Sequence, residues 1–193
     1  MIAQIKGQLV EKTPTYVVID CGGVGYELKI SLNTFSQIGG EANCLLFTHF
    51  VVREDAQLLY GFKEKSEREL FRLLTSVSGV GPSTAMMILS SLSPNETKQA
   101  IVSGDVNTLK SVKGIGQKSA ERVIVDLKDK ITGIEVSSTN VGVSNNTIKE
   151  EALSALMMLG FSKKPAEKAL DKTISSGDDL TVEELIKRTL KNL

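Results

Sequence analysis

The chain has 193 residues, 23 basic and 23 acidic side chains, and 41% apolar residues, the balance of an ordinary soluble protein of one to three domains. We expect no signal peptide, because the start MIAQIKGQLVEK alternates polar and apolar residues and has no long apolar run. We expect no membrane helix, because no run approaches the ~18 apolar residues that one needs. Cys21 and Cys44 form no CxxC pair and the chain has one histidine. This composition argues against a zinc or iron–sulfur site and favours reduced thiols in a cytoplasmic protein. We expect no cofactor.

Residues 1–63 have the two-residue periodicity of β-strands. Five short runs rich in Val, Ile, Tyr and Phe follow one another: QIKGQLVEK, TYVVID, VGYELKISL, NCLLFTHFVV and QLLYGF. Turn-forming residues separate them, such as Gly22-Gly23 and Gly39-Gly40. Five strands in so short a segment predict a small barrel, with the OB-fold as the leading candidate.

Residues 64–133 change to helical periodicity. Leu70 and Leu74 fall on one face of the first helix, with charged side chains opposite. Ser93 and Asp105 have the chemistry of helix N-caps, and SAERVIVDLKDKI predicts a long last helix. This segment carries ten basic and eight acidic side chains, which is the only basic surplus among the segments.

The remaining chain predicts a tethered helical module. Residues 134–147, IEVSSTNVGVSNNT, have neither periodicity and one charged side chain, which is typical of a flexible linker. Residues 148–193 contain three amphipathic runs and predict a UBA-like three-helix module. The fold class expected for the whole chain is therefore α+β and multidomain: a barrel, a helical middle domain and a small helical module.

The middle segment contains an internal repeat. The stretch GVGPSTAMMILSSL at 79–92 returns 35 residues later as GIGQKSAERVIVDL at 114–127. A duplicated helix-turn-helix unit is the simplest account of so many matches at one offset. Neither copy has the GK[ST] of a Walker loop or the third glycine of a dinucleotide fingerprint, so we expect no nucleotide site.

Each Gly-x-Gly lies where one helix ends and the next begins. The free amides and the dipole of the following helix attract an anion, and a backbone site of this kind grips phosphate without reading bases. A helix C-cap glycine in a tight turn is the alternative, and a single copy would favour it, but two copies with identical spacing favour the clamp. The predicted DNA phosphate-binding residues are Gly79, Gly81, Ser83, Gly114, Gly116, Lys118 and Arg122, the last two adding cations at i, i+4.

The two copies resemble tandem helix-hairpin-helix motifs, which bind DNA independently of sequence. Together with THFVVREDAQLLYGF at 48–62, they make the chain resemble the RuvA family. These bacterial proteins bind four-way Holliday junctions and recruit the RuvB branch-migration motor. The resemblance covers all three segments and implies a homotetramer, or an octamer of two tetramers, with the RuvC resolvase as a further candidate partner.

The resemblance also implies roles for single residues. Glu54 and Asp55 correspond to an acidic pin that repels phosphates at the junction centre, although a solvated hairpin turn is the alternative. Many relatives carry a basic residue where this chain has Ser83, which puts the contribution of the first hairpin in doubt.

The run ALMMLGF resembles the helix that contacts RuvB. Leu156, Leu159 and Phe161 are therefore predicted to be exposed for that contact. For each of them singly, a place in the core of the three-helix module is the alternative.

Three classes of function remain open from the residues. The favoured one is a non-catalytic junction scaffold whose ATPase is its partner. A helix-hairpin-helix glycosylase or nuclease is disfavoured because no clear acid–base pair follows either hairpin. A single-strand binder is disfavoured because the chain has 5% aromatic residues and no tryptophan, which leaves few stacking platforms.

Overall fold

The structure is a computed structural model that describes residues 1–40, 42–131, 145–174, 180–190 and 192. The chain divides into two compact units, Met1–Ser138 and Thr139–Leu193. The first unit holds the barrel and the middle helices, and the second holds the C-terminal helices. Within the described ranges, no helix combines the length and the apolar character that a membrane span requires.

The barrel predicted from the sequence is confirmed. Its strands are β1 Gln4–Lys12, β2 Tyr16–Asp20, β3 Gly25–Ile30, β4 Asn43–Val52 and β5 Gln57–Phe62. They close in the order β1-β2-β3-β5-β4, with β3 and β5 parallel and the other pairs antiparallel. The alternation of the sequence places one set of side chains inside the barrel and leaves the other set outside.

A short helix that the sequence analysis missed, α1 Leu32–Gln37, connects β3 to β4. Ser31 caps it by accepting a hydrogen bond from the Thr34 amide. The hydroxyls of Ser31 and Thr34 both donate to the buried carboxyl group of Glu67. A carboxyl group from the next helix thus ties α1 to the middle domain.

The middle domain consists of five helices. They are α2 Lys65–Ser76, α3 Pro82–Ser91, α4 Pro94–Ser103, α5 Val106–Lys110 and α6 Gln117–Ile131. Both predicted N-caps are confirmed: Ser93 forms a capping box with Glu96, and Asp105 accepts from the Thr108 amide. Buried apolar side chains from all five helices form one core, and two side chains of β5, Tyr60 and Phe62, extend it into the barrel.

The C-terminal unit is a three-helix module. Its helices are α7 Asn145–Met158, α8 Lys163–Ile174 and α9 Val182–Leu190. Their buried side chains form a small separate core: Ala152, Leu156, Ala166, Leu170 and Leu185. Residues 134–144 of the predicted linker lie outside the described residues, and its last three residues, 145–147, belong to the first turn of α7.

Candidate nucleic-acid interface

The two Gly-x-Gly turns have the same backbone hydrogen bonds. In the first turn, the Val80 amide donates to the Val77 carbonyl at 3.0 Å and the Ala85 amide donates to Gly81 at 3.0 Å. Counting 35 residues on, Ile115 donates to Val112 at 3.1 Å and Ala120 donates to Gly116 at 3.0 Å. The sequence repeat is therefore a repeat of local structure.

The first glycine of each turn is required by the backbone. Gly79 has a φ of 89° and Gly114 a φ of 90°, which is the left-handed region that residues with a side chain rarely adopt. Val80 and Ile115 follow these glycines and are buried in the shared core. Each turn is thus held to the core by one buried apolar side chain.

The second glycine of each turn is not required by the backbone. Gly81 has an extended conformation, with a φ of −81°, and Gly116 is not among the glycines with positive φ. A Cβ built on either residue would meet nothing within 4 Å. Both glycines are exposed, so their missing side chains leave open space beside the starts of α3 and α6.

This open space lies next to unsatisfied amides. The first N–H groups of a helix have no acceptor inside the helix, and a glycine cap supplies no side-chain oxygen. The dipole of each helix adds partial positive charge at the same place. An anionic oxygen can therefore approach the backbone closely at both turns.

The cations predicted for the second turn are free to meet such an anion. Lys118 and Arg122 are exposed, and neither forms an ion pair within the described part of the chain. The nearby carboxylate of Glu121 accepts a hydrogen bond at 2.6 Å from the Gln117 side chain. In the first turn, Ser83 is exposed but uncharged.

The acidic residues lie at the tip of the hairpin formed by β4 and β5. The strands pair as far as Val52 and Gln57, and the Arg53 amide donates to the Ala56 carbonyl at 2.8 Å. Glu54 and Asp55 are exposed between them. A tight turn at the end of a paired ribbon therefore presents two carboxylates to solvent.

The acidic tip and the Gly-x-Gly turns are supported by one core. Tyr60 and Phe62 of β5 contact Phe71 of α2, with ring centroids 5.0 and 5.1 Å apart. The same core contains Val80 and Ile115 from the two turns. The strand that leaves the acidic tip is thus packed against the scaffold of both turns.

Family comparisons match all three parts of the chain. The family models are described as RuvA N terminal domain for residues 1–61, SAM-like helix-hairpin-helix tandem for 71–129, and RuvA, C-terminal domain for 147–193. Similar proteins include those of Christiangramia forsetii, 56% identical, and Flavobacterium psychrophilum, 52% identical, each matched over 100% of both chains. The chain belongs to the RuvA family. Both relatives are named Holliday junction branch migration complex subunit RuvA, and the resemblance inferred from the sequence is confirmed.

One prediction for the part of the chain matched by the RuvA C-terminal domain is wrong. Leu156 was predicted to be exposed, but it is fully buried in the core of the three helices. Leu159 and Phe161 are 62% and 36% exposed. Between them, Gly160 has a φ of 99°, and the Phe161 amide donates to the Leu156 carbonyl at 3.1 Å, so this turn ends α7 and presents the two side chains.

Sequence reasoning missed one neighbour of this exposed pair. Met157 is 47% exposed and lines a shallow groove with Leu153, together with Glu150, Ser154 and Lys163. The helical spacing from Leu153 to Met157 was visible in the sequence, but it does not show which face of α7 is covered by α8 and α9. The RuvA C-terminal domain of this chain therefore has an apolar surface at the end of α7.

Proposed function

We propose that the chain binds four-way DNA junctions without sequence preference, as the non-catalytic subunit of a cytoplasmic branch-migration complex whose ATPase is RuvB. The names of the relatives support this function. The observation that carries it is the pair of turns with identical hydrogen bonds, each with an exposed glycine beside free helix amides. Such contacts suit the DNA backbone, which positions a protein without specifying sequence.

Each turn binds one stretch of backbone phosphates. The amides at the start of α3 or α6 donate to phosphate oxygens, and the absent side chain of Gly81 or Gly116 lets the oxygens approach. In the second turn, Lys118 and Arg122 add charge-assisted hydrogen bonds, which are about twice as strong as neutral ones. No base edge is needed for this contact.

A homotetramer would repeat the weak phosphate contacts of one subunit four times. A four-armed junction offers the same geometry four times, and a closed cyclic assembly presents one clamp to each arm. Because four linked contacts bind more tightly than one, a single subunit does not need the strong basic surplus of many DNA-binding domains. Two tetramers facing each other, and RuvC bound to an open junction face, are extensions of the same arrangement.

Glu54 and Asp55 act as a repulsive pin in this proposal. Their tip is exposed at the end of a paired ribbon, so both carboxylates are accessible to phosphates that approach this end of the hairpin. Negative charge on a DNA-facing surface reduces overall affinity. It penalises a continuous duplex more than an open crossover, whose centre holds no through-going helix.

The C-terminal module contacts RuvB through the apolar surface of Leu159, Phe161 and Met157. These side chains are exposed on a module with its own core. Leu156 packs in the core beneath this surface and does not contact RuvB itself.

Competition binding tests the function. Labelled four-way junction is bound to the full chain and competed with unlabelled junction, linear duplex and single strand. We expect junction to compete best; equal competition by single strand would favour a single-strand binder. DNA cleavage or base release during the same incubation would favour a helix-hairpin-helix enzyme.

A charge variant tests the site. Lys118→Ala with Arg122→Ala should weaken junction binding and reduce the slope of log affinity against log salt by roughly one to two per subunit contacted. Lys128→Ala with Lys130→Ala, at the other end of α6, removes the same charge and is the control. An unchanged slope in the first variant would exclude Lys118 and Arg122 as phosphate contacts.

A further inference from the structure

The two turns are alike in backbone but differ in charge. Residues 75–87, around the first turn, contain no ionisable side chain. Residues 110–122, the same positions 35 residues later, contain four cations and one carboxylate. Since the hydrogen bonds of the two turns agree within 0.1 Å, the difference is one of chemistry rather than shape.

Every cation of the second turn corresponds to an uncharged residue of the first. The pairs are Thr75/Lys110, Ser78/Lys113, Ser83/Lys118 and Met87/Arg122. The two at the start of α6 belong to the site already described. Lys110 and Lys113 lie on the other side of Gly114, where no role has been given to them.

Both of these lysines are placed outward beside the turn. Lys110 is the last residue of α5 and Lys113 immediately precedes Gly114. Their neighbours Leu109 and Val112 are buried in the core, whereas the two lysines are exposed. Among the described residues, neither lysine has an ion-pair partner.

Local carboxylates do not cancel this charge. Glu121 is the one acidic residue between 110 and 122, and it is hydrogen-bonded to Gln117. Asp105 caps α5, where its carboxylate accepts from the amide and the hydroxyl of Thr108. The second turn therefore carries a net surplus of three positive charges, which the whole chain balances elsewhere.

We propose that Lys110 and Lys113 bind DNA phosphates beside the second turn, so that the electrostatic grip of each subunit is concentrated on residues 110–122. The inference rests on the proposed function, because it requires this turn to face DNA. A phosphate held by the α6 amides has neighbours along the same strand, and cations on both sides of Gly114 can meet them. The first turn contacts the backbone through amides and hydroxyls alone.

Salt-dependent junction binding separates this inference from a general charge effect. Lys110→Gln with Lys113→Gln should lower the slope of log affinity against log salt by roughly one to two per subunit contacted. Lys128→Gln with Lys130→Gln removes the same charge from exposed positions at the far end of α6 and should leave the slope unchanged. Both variants should unfold at the wild-type temperature, because all four lysines are exposed.

Three results have distinct meanings. An unchanged slope in the Lys110/Lys113 variant, with a reduced slope in the Lys118/Arg122 variant, overturns this inference and leaves the proposed function intact. Equal reductions in the Lys110/Lys113 and Lys128/Lys130 variants overturn it too, since net charge alone would then explain both. Absence of junction binding by the wild-type chain overturns the proposed function itself.

Discussion

Replacing Gly116 by serine should separate the stability of the protein from its DNA binding. Gly116 precedes α6 and its carbonyl accepts from the Ala120 amide, as the carbonyl of an N-cap does. It has no positive φ, and a Cβ there meets nothing within 4 Å. Serine is a better N-cap than glycine by a few tenths of a kcal/mol. Ser93 shows the arrangement in this chain, since its hydroxyl oxygen accepts from the Glu96 amide at 3.2 Å.

The same change removes a free amide and the open space beside it, both of which the proposed phosphate contact requires. The new hydroxyl at position 116 occupies an amide at the start of α6, and the new Cβ stands in the open space beside it. A hydrogen bond to a charged group contributes about 1.5–3 kcal/mol. Loss of one such bond at the second turn should therefore weaken the contact made by each subunit by about 10- to 100-fold. The unfolding temperature should stay constant or rise by about one degree.

Two measurements on the same samples check the Gly116→Ser variant: equilibrium binding to a labelled four-way junction, and thermal unfolding. Gly39→Ser is the matched control, because Gly39 is also exposed and open but lies in the barrel domain between α1 and β4. Full affinity in a stable Gly116→Ser protein would refute phosphate binding by the α6 amides. Loss of stability together with affinity would show that the fold, rather than the ligand, requires this glycine.

Three further outcomes are expected. Glu54→Gln with Asp55→Asn should tighten DNA binding, most at low salt where repulsion is least screened, and should reduce the preference for junction over duplex; competition binding in two salts measures both. Burial is the main cause of the raised pKa of Glu67, so folding loses stability as pH rises from the ordinary value of 4.5 through that raised pKa, and Glu67→Gln should flatten the pH dependence of the unfolding free energy over this range. Leu159→Ser with Phe161→Ser should abolish stimulation of RuvB ATPase while junction affinity stays unchanged; undiminished stimulation would exclude this surface as the contact.

The strands and long helices could be predicted because their signals are local. Alternating polarity and turn residues define the barrel strands, and cap chemistry defines the starts of α4 and α5. The helix α1 could not be found in this way. It has six residues, and its support comes from Glu67, which is 36 residues from Ser31 in sequence. A contact of that range leaves no trace in a local pattern.

The candidate site was visible as a repeat, but the roles within it were not. The sequence shows two glycines in each turn and does not distinguish them. The structure shows that Gly79 and Gly114 are needed for a positive φ, whereas Gly81 and Gly116 have no such requirement although a side chain would fit there. That distinction depends on backbone angles, which the sequence does not give.

The error at Leu156 has a similar origin. Three apolar residues in ALMMLGF satisfy a helical pattern, and a module of three short helices can bury only part of them. Leu156 packs in the core with Ala166 and Leu170. The left-handed turn at Gly160 then redirects the chain, so Leu159 and Phe161 do not continue the buried face.

A net charge of zero is compatible with DNA binding when the charges are separated in space. Attraction at long range depends on the whole chain and is weak here, whereas contact at the DNA surface depends on charges within about 10 Å, the screening distance at moderate salt. Residues 110–122 carry a local positive surplus, and the tip of Glu54 and Asp55 carries a local negative one. A neutral protein with this arrangement gains little from the uniform charge of a duplex. We therefore expect such a protein to prefer DNA whose phosphates can contact the turns without approaching the tip, which is a requirement on shape.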